Sequence, residues 1–419
     1  MRQYSYRYLI DDPTPRNGYL YGDLSPKFPY TWYDRRRPLM ATITNIGVFV
    51  AVCGYIHLLF GWKAALLYAV FPLNVSGVAW ITGNYYMSTV LLCLASYAAL
   101  GYGLIGAGVS AVFYGAALNS TLLSLPFFVV LSLFPMGWLS LIPLIGFLFG
   151  KRLKTGLTKR KVSHDGMGVQ SGFAWRNFYH VPRVLAYYLY LSFYPARLGF
   201  FHAFGKNDKQ QTVGFWLASV LVMIASAVFM AAVDWRMAVW WFASMGVFSQ
   251  FIIFGQFVTE RYTPLANVAF CVIAAAVLPT EAFWAIGALW FYRSLDYIPA
   301  WKSDERLFSY SATQFKEAGE NWVNLGSYYL ERKDSFSAIK PLLVAEKLVK
   351  GDKYGIYCDL ANCYASGGFF EKALEYTDKA LGCATLDKIT GMLEQKQTLE
   401  SKIYKMQKGN RELKKMGVI

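Results

Sequence analysis

Two adjacent aspartates, Asp11 and Asp12, lie in the stretch YLIDDPTPRNGY, just ahead of the first long apolar segment. Sixteen of the 26 acidic residues lie between Asp304 and Glu412, so the rest of the chain holds ten. A carboxylate at a membrane surface can accept the proton of a hydroxyl acceptor during group transfer. The stretch is also rich in turn-forming residues, so a structural role in a turn is the alternative.

Arginines at the edges of apolar segments could hold an anionic group. Arg37 follows in YDRRRPL, Arg197 lies in FYPARLGF, and Arg261 lies in ERYTPL, where Glu260 and Tyr262 flank it. The planar guanidinium group binds a phosphate through two parallel hydrogen bonds. Anchoring of a helix end at the membrane interface is the alternative for Arg197 and for the Glu260–Arg261 pair.

The composition predicts a polytopic membrane domain that positions these residues. The chain is 55% hydrophobic and only 16% charged, against about 25% charged in soluble domains. Residues 39–297 hold six acidic residues and about eleven apolar segments, so we expect all-α architecture with ten to twelve spans. Residues 1–38 form a first loop, and 151–182 form a basic extramembrane loop.

The basic loop carries most of the excess positive charge. Residues 151–183 contain eight basic residues and one acidic residue, a net of +7 out of +15 for the whole chain. Because this patch lies between membrane segments, anionic lipid headgroups or a lipid phosphate fit better than nucleic acid. A solvated loop that follows the positive-inside bias is the alternative.

A short helical domain is predicted over residues 298–419. Repeats at about 319–353 and 354–387 share residues 35 positions apart, and helices 303–317 and 386–416 would cap them. The matched residues are Leu325, Gly326, Tyr329, Ala338 and Ala345, then Leu360, Ala361, Tyr364, Ala373 and Ala380. With Trp322 ahead of the first set, this pattern resembles the tetratricopeptide repeat, or TPR. Trp322, Tyr329 and Tyr364 are the candidate partner-binding residues, and a plain helical cap is the alternative.

Metal and cofactor chemistry have no signature in the sequence. The six cysteines are scattered without the CxxC spacing of a zinc site, and the four histidines do not complete one. We therefore expect no metal site and no bound cofactor.

The segments FPLNVSGVAWITGNYYMSTVL, FSQFIIFGQFVTERYTPLANVAF and YIPAWKSDERLFSYSATQFKEAGENWVNLG, with the repeats, resemble one family. It is that of the TPR-containing transmembrane O-mannosyltransferases and their bacterial relatives, in the membrane glycosyltransferase C superfamily. The resemblance runs from about residue 8 to residue 384.

The resemblance implies an integral membrane glycosyltransferase that moves a mannose-like sugar from a polyprenyl-phosphate donor to a protein hydroxyl. Asp11 or Asp12 would act as the catalytic base. Arg37, Arg197, Glu260, Arg261 and Tyr262 would form the donor phosphate site, and the repeats would engage the acceptor or another protein. The lipid-linked sugar would be a substrate, and no metal would be required. We expect location in the bacterial inner membrane rather than in the ER membrane.

Several positions depart from the family pattern and favour a second hypothesis. Phe71-Pro72 stands for His-Pro, Val75-Ser76 for Thr-Glu, Gly83-Asn84 for Gly-Arg, and Asn119-Ser120 for Lys-Glu. The family also has a transmembrane helix ahead of the aspartates, which this sequence does not contain. An inactive membrane scaffold that binds a protein partner through its repeats is therefore the alternative. If residues 1–38 are cytoplasmic, as the positive-inside bias favours, the aspartates cannot play the family role.

Overall fold

A computed structural model describes residues 38–80, 84–149, 178–204, 212–251, 258–349, 353–384 and 386–415. Asp11, Asp12, Arg37 and most of the basic loop lie outside these residues. The regular secondary structure of the described residues is helical, with no strand, as the sequence predicts. In chain order the α-helices are α1 (Pro38–Phe60), α2 (Trp62–Val70), α3 (Val75–Ala79), α4 (Asn84–Ala99), α5 (Gly103–Ser120), α6 (Phe127–Leu131), α7 (Leu141–Phe149), α8 (Val181–Phe193), α9 (Val213–Gly246), α10 (Pro264–Val277), α11 (Thr280–Tyr297), α12 (Asp304–Gln314), α13 (Gly319–Glu331), α14 (Ser335–Leu348), α15 (Tyr354–Ser366), α16 (Phe370–Cys383) and α17 (Leu386–Lys415).

Membrane-length helices are present, but fewer than the sequence predicts. Three stretches of the described chain are long and apolar enough to cross a membrane, Thr42–Phe60, Tyr85–Ser120 and Val213–Gln250. A fourth is the bent pair Trp62–Val70 and Pro72–Ala79 if it counts as one span. The prediction of ten to twelve spans is not reached in this part of the chain, because several apolar segments are divided into shorter helices.

The bend between α2 and α3 follows from Pro72. A residue before proline is disfavoured in the helical conformation, and Phe71 is extended at φ −70° and ψ 120°. The two parts meet at an angle of 60°. The side chain of Asn74 donates to the Tyr68 carbonyl at 2.8 Å, so a backbone acceptor at the break is satisfied inside the protein.

The stretch Tyr85–Ser120 turns back on itself. Gly103 has a φ of 66°, in the left-handed region that favours glycine. The two arms, α4 and α5, pack side by side, and the Ser96 hydroxyl lies 2.9 Å from the Ser110 carbonyl and 2.8 Å from its hydroxyl. Two short arms therefore replace one long helix.

The hydrogen bonds of Asp234 explain why this acidic residue interrupts the long apolar helix α9. Its backbone is non-helical, at φ −154° and ψ 104°. Its Oδ1 accepts hydrogen bonds from the amides of Arg236 at 2.9 Å and Met237 at 3.3 Å. Asp234 is thus the N-cap of a second arm, which makes a structural role sufficient for this carboxylate.

Contacts divide the described chain into two compact units, one up to Leu307 and one from Phe308 onward. In the first, α1 packs against α2 and α4, and α9 packs against α8 and α10. This packing brings the break after α3 and the start of α10 into one unit.

The second unit consists of antiparallel helix pairs. Helix α13 packs on α14, α15 packs on α16, and α17 packs on α16. Small repeated residues lie where the helices meet. A Cβ on Gly326 would lie 2.6 Å from Cγ of Leu342, so only glycine allows this approach. Ala338, Ala345, Ala373 and Ala380 are fully buried. The 35-residue repeat therefore coincides with a repeated packing unit.

Candidate functional site

A short helical turn, Glu260–Tyr262, forms the centre of the candidate site in the first unit. It immediately precedes α10, whose first residue, Pro264, is favoured at a helix start. All three side chains are buried, with 1% of Glu260 and 3% of Arg261 exposed. Two charged side chains in an apolar interior require specific partners, so the surroundings of this turn identify its role.

Helix α8 fixes the start of the turn. The Tyr188 hydroxyl donates to the Thr259 carbonyl at 3.3 Å and accepts from the Thr259 amide at 3.1 Å. On the other side, the Tyr262 ring stacks on Phe248, with centroids 4.3 Å apart. The backbone at Thr259 and the ring of Tyr262 are therefore held on opposite sides of the charged pair.

Glu260 connects the turn to the non-helical segment that follows α8. Its Oε1 accepts from the Gly199 amide at 2.7 Å and from His202 Nε2 at 3.2 Å. His202 Nδ1 lies 3.1 Å from the Tyr187 hydroxyl. If Nε2 carries the proton, Tyr187 donates to His202 and His202 donates to Oε1 of Glu260, so both ring nitrogens have a partner. The assignment of Glu260 to a phosphate site stays a prediction, and the structure shows that its Oε1 is already bonded to Gly199 and His202.

The second oxygen of Glu260 is an unusual feature of this centre. Within the described residues, Oε2 is buried and has no hydrogen-bond partner. A buried carboxylate oxygen without a partner costs free energy.

Arg261 lies between two aromatic rings. Its guanidinium carbon is 5.2 Å from the Trp80 ring centroid and 4.7 Å from that of Phe200. Such cation–π contacts are stronger where water is excluded, and they orient the guanidinium plane. The site thus holds a cation in a fixed direction inside an apolar unit.

Helix α1 positions Trp80 for this contact. The amide nitrogen of Asn45 donates to the Val78 carbonyl at 3.1 Å and to the Trp80 carbonyl at 2.9 Å. These bonds satisfy the last carbonyls of α3, which would otherwise lack partners. These hydrogen bonds explain why the apolar helix α1 contains a polar residue, Asn45, at this position.

A buried amide network joins the break after α2 to the start of α10. Asn267 Nδ2 lies 2.8 Å from Asn74 Oδ1 and 2.9 Å from Thr263 Oγ1. The Tyr68 hydroxyl donates to the Pro264 carbonyl at 3.2 Å. The segment that follows the Glu260–Tyr262 turn is thus connected to the α2–α3 bend by hydrogen bonds between residues 193 and 196 positions apart.

Arg197 lies in the same non-helical segment as Gly199 and His202, but its side chain is exposed. The segment therefore carries one exposed arginine, Arg197, and its Phe200 ring contacts a second, buried arginine, Arg261. Asp11, Asp12 and Arg37 lie outside the described residues, so their proximity to Arg261 stays a prediction.

The residues that the sequence assigned to partner binding pack within the second unit. Tyr364 is only 8% exposed and stacks on Tyr376 at 5.6 Å, while Trp322 and Tyr329 pack against the same core. Burial raises the pKa of the Tyr364 hydroxyl, so this group stays neutral at physiological pH. Their role in partner binding stays a prediction, and these contacts favour a supporting role beneath the surface of the helix pairs.

Some positions that depart from the family pattern are filled by apolar contacts. Phe71 is buried against Trp290 at 4.5 Å and against Phe270 at 5.8 Å between centroids. Ser76 is buried and lies 3.4 Å from the Leu73 carbonyl. The interior at the α2–α3 bend is therefore closed by aromatic packing at the position where the family has a histidine.

No group of three or more histidine, cysteine or acidic residues that could hold a metal ion occurs in the described residues.

His202, Tyr187, Trp80 and Phe200 were not identified from the sequence as members of this site. His202 is 58 positions away from Glu260 in the chain, and Tyr187 is linked to Glu260 through His202, so no local spacing indicates these contacts. The one feature of the sequence that could have indicated this site is His202, a single histidine within an apolar and aromatic run.

The chain matches no protein-family model, and comparisons with curated proteins and with solved structures give no significant match. The fold and the site define a class: an α-helical membrane protein with a charged centre buried in its apolar unit.

Proposed function

We propose that the chain is an integral membrane glycosyltransferase that uses a polyprenyl-phosphate-linked sugar and a protein hydroxyl as acceptor. The observation that carries this proposal is Arg261, buried between Trp80 and Phe200. An arginine in the interior of a membrane protein marks a binding site for an anionic group by default. A lipid phosphate has the geometry that a guanidinium binds best.

The surroundings of Arg261 support binding of a lipid rather than a soluble phosphate. Both rings that flank the guanidinium group are apolar, and they belong to the unit that contains the membrane-length helices. A polyprenyl chain would find apolar surface there, while its phosphate would replace water at the guanidinium group. Glu260 would hold residues 199–202 in place rather than bind the phosphate, since two anions repel each other.

The chemistry would be completed by the carboxylates of the first loop. Asp11 or Asp12 would accept the proton of the acceptor hydroxyl as its oxygen forms a bond to the anomeric carbon. The bond from that carbon to the phosphate oxygen would break, and the leaving phosphate would carry the negative charge that Arg261 stabilises. This division of roles rests on the resemblance to the TPR-containing O-mannosyltransferases.

The helix pairs of the second unit would engage the acceptor or another protein. Their repeat length of 35 residues and their small-residue packing support a TPR-like arrangement, for which a peptide or protein surface is the usual ligand.

A non-catalytic scaffold of the same architecture is the second candidate. The aromatic closure around Phe71 favours it, because polar groups that the family places near the α2–α3 bend are replaced there by packing. Such a scaffold would keep the helix pairs as its functional surface and would need no donor site.

Donor binding distinguishes the two candidates. The purified chain would be mixed with undecaprenyl-phosphate mannose in detergent, and bound lipid would be counted by native mass spectrometry. We expect one lipid for each chain, and at least a tenfold weaker affinity in Arg261→Lys, about 1.4 kcal/mol, because lysine keeps the charge but loses the planar fork.

Arg236 provides a matched control, since its guanidinium group also lies near two rings, 5.7 Å from both Phe134 and Trp235, but is exposed. Arg236→Lys should bind the donor like the wild type. Absence of bound lipid in the wild type, or equal losses in the two variants, would contradict a donor site at Arg261.

A further inference from the structure

From Tyr404 onward, the described side chains of α17 are exposed. In the first half, Leu399 is 3% exposed and Lys396 pairs with Asp378 at 2.8 Å. Lys402 lies over the Phe370 ring at 5.4 Å. From Tyr404 to Lys408 every side chain is exposed, although the helix continues to Lys415. Contacts of α17 with α16 are therefore seen as far as Lys402.

This segment, residues 404–415, has little reason to be helical by itself. At 1.5 Å per residue it is about 18 Å long. Isolated helices below about 12 to 15 residues are marginal in water, because few hydrogen bonds offset the cost of nucleation. A surface that binds one face of this segment would stabilise its helical conformation.

The sequence of the segment indicates the chemistry of that surface. Ile403, Met406 and Leu413 are three and seven positions apart, which places them on one side of the helix. Tyr404 is 69% exposed and Met406 is 42% exposed. Basic residues fall mainly on the other side. The segment holds five basic residues and one acidic residue, a net of +4; these are Lys405, Lys408, Arg411, Lys414, Lys415 and Glu412.

We propose that residues 404–415 form an amphipathic helix that binds an anionic lipid surface. Apolar side chains would enter the boundary between headgroups and acyl chains, and the lysines would remain at the level of the lipid phosphates. Basic residues near such a surface strengthen the attraction of the helix to it. The chain carries membrane-length helices of its own, so a bilayer is present wherever the protein resides. This contact is separate from the proposed donor site.

A second copy of the chain fits this surface less well. If Ile403, Met406 and Leu413 formed the seam of a paired coil, Lys402, Gln407 and Lys414 would flank it. None of these flanking residues has an opposite charge to pair with, and parallel coils select their partners through such pairs. The excess of lysine favours an anionic partner instead.

Hydrogen exchange of the full chain in lipid nanodiscs tests the proposal. Amides of residues 404–415 should exchange at least tenfold more slowly in discs that contain phosphatidylglycerol than in discs of phosphatidylcholine alone. The protection should fall in about 1 M salt, where the Debye length is roughly 3 Å. It should also be lost in the triple variant Lys405→Gln, Lys408→Gln and Lys415→Gln.

A triple variant of the same unit serves as the control. Lys333, Lys340 and Lys347 are exposed on the first helix pair, and their replacement by glutamine should leave the protection of 404–415 unchanged. Equal exchange in neutral and anionic discs at low salt would overturn the proposal. Protection that depends on the number of chains in each disc, and not on the lipid, would assign the surface to a second copy.

Discussion

Replacement of Asp11 or Asp12 by asparagine is expected to remove glycosyl transfer while leaving the protein folded. Asparagine has the same shape but cannot accept a proton, and loss of a general base typically reduces a rate by about 10²- to 10⁴-fold. The residue that serves as the base should show the full loss, and its neighbour should show a smaller one. The rate would be measured as transfer of labelled mannose from undecaprenyl phosphate to protein in proteoliposomes.

Asp23→Asn is the matched control, because Asp23 lies in the same first loop. It should retain the wild-type rate, and all three variants should bind the donor lipid as the wild type does. If Asp11→Asn and Asp12→Asn both keep more than half of the rate, neither carboxylate is the base, and the turn role of the stretch is sufficient.

Glu260→Ala is expected to lower the free energy of unfolding by about 1 to 3 kcal/mol for each buried donor that it leaves without an acceptor. The reason is the number of groups that depend on Oε1. The Gly199 amide and His202 would both lose their acceptor in the buried interior. The measurement is the shift of the unfolding midpoint in detergent micelles.

Two comparisons separate this effect from a general loss of charge. Glu260→Gln keeps an acceptor oxygen for the Gly199 amide and should cost less than the alanine variant. Glu281, exposed in the first turn of α11, is the control, and Glu281→Gln should change the midpoint little.

In a double-mutant cycle, Glu260→Ala and His202→Ala should show a coupling of about 0.5 to 3 kcal/mol, as residues in one hydrogen-bonded network do. Additive effects would show that the two side chains do not depend on each other.

Elements governed by local patterns were predictable from the sequence. The apolar segment at 39–61 corresponds to α1, Pro38–Phe60, and the amphipathic pattern at 386–416 corresponds to α17, Leu386–Lys415. The first is a continuous apolar run and the second a continuous charged stretch, and segments of this length favour a helix.

The division of the membrane unit into short helices was not predictable from apolar length alone. Pro72 bends α2–α3, Gly103 reverses the chain after α4, and Asp234 caps the second arm of α9. Proline, glycine and aspartate are all known to interrupt helices. Hydropathy identifies the apolar segments but does not show whether one helix continues through such a residue.

The candidate site shows the same limit at longer range. The Glu-Arg-Tyr turn could be selected from the sequence, since buried charges in an apolar chain are rare. The contacts of Arg261 with Trp80 and of Glu260 with His202 depend on how distant segments pack. Such pairs have no spacing rule, so the positioning role of Glu260 could be recognised only in the structure.

Transfer by the wild-type protein is the measurement that tests the central claim most directly. The purified full chain would be reconstituted in vesicles with undecaprenyl-phosphate mannose and a membrane extract as a source of acceptors, and labelled hexose on protein would be measured. The proposed function predicts hexose attached to serine or threonine hydroxyls, with release of one polyprenyl phosphate for each sugar and a strong decrease in Arg261→Lys. Donor that stays intact in the presence of the correctly folded wild-type chain, under conditions where acceptors are in excess, would contradict the transferase and favour the scaffold.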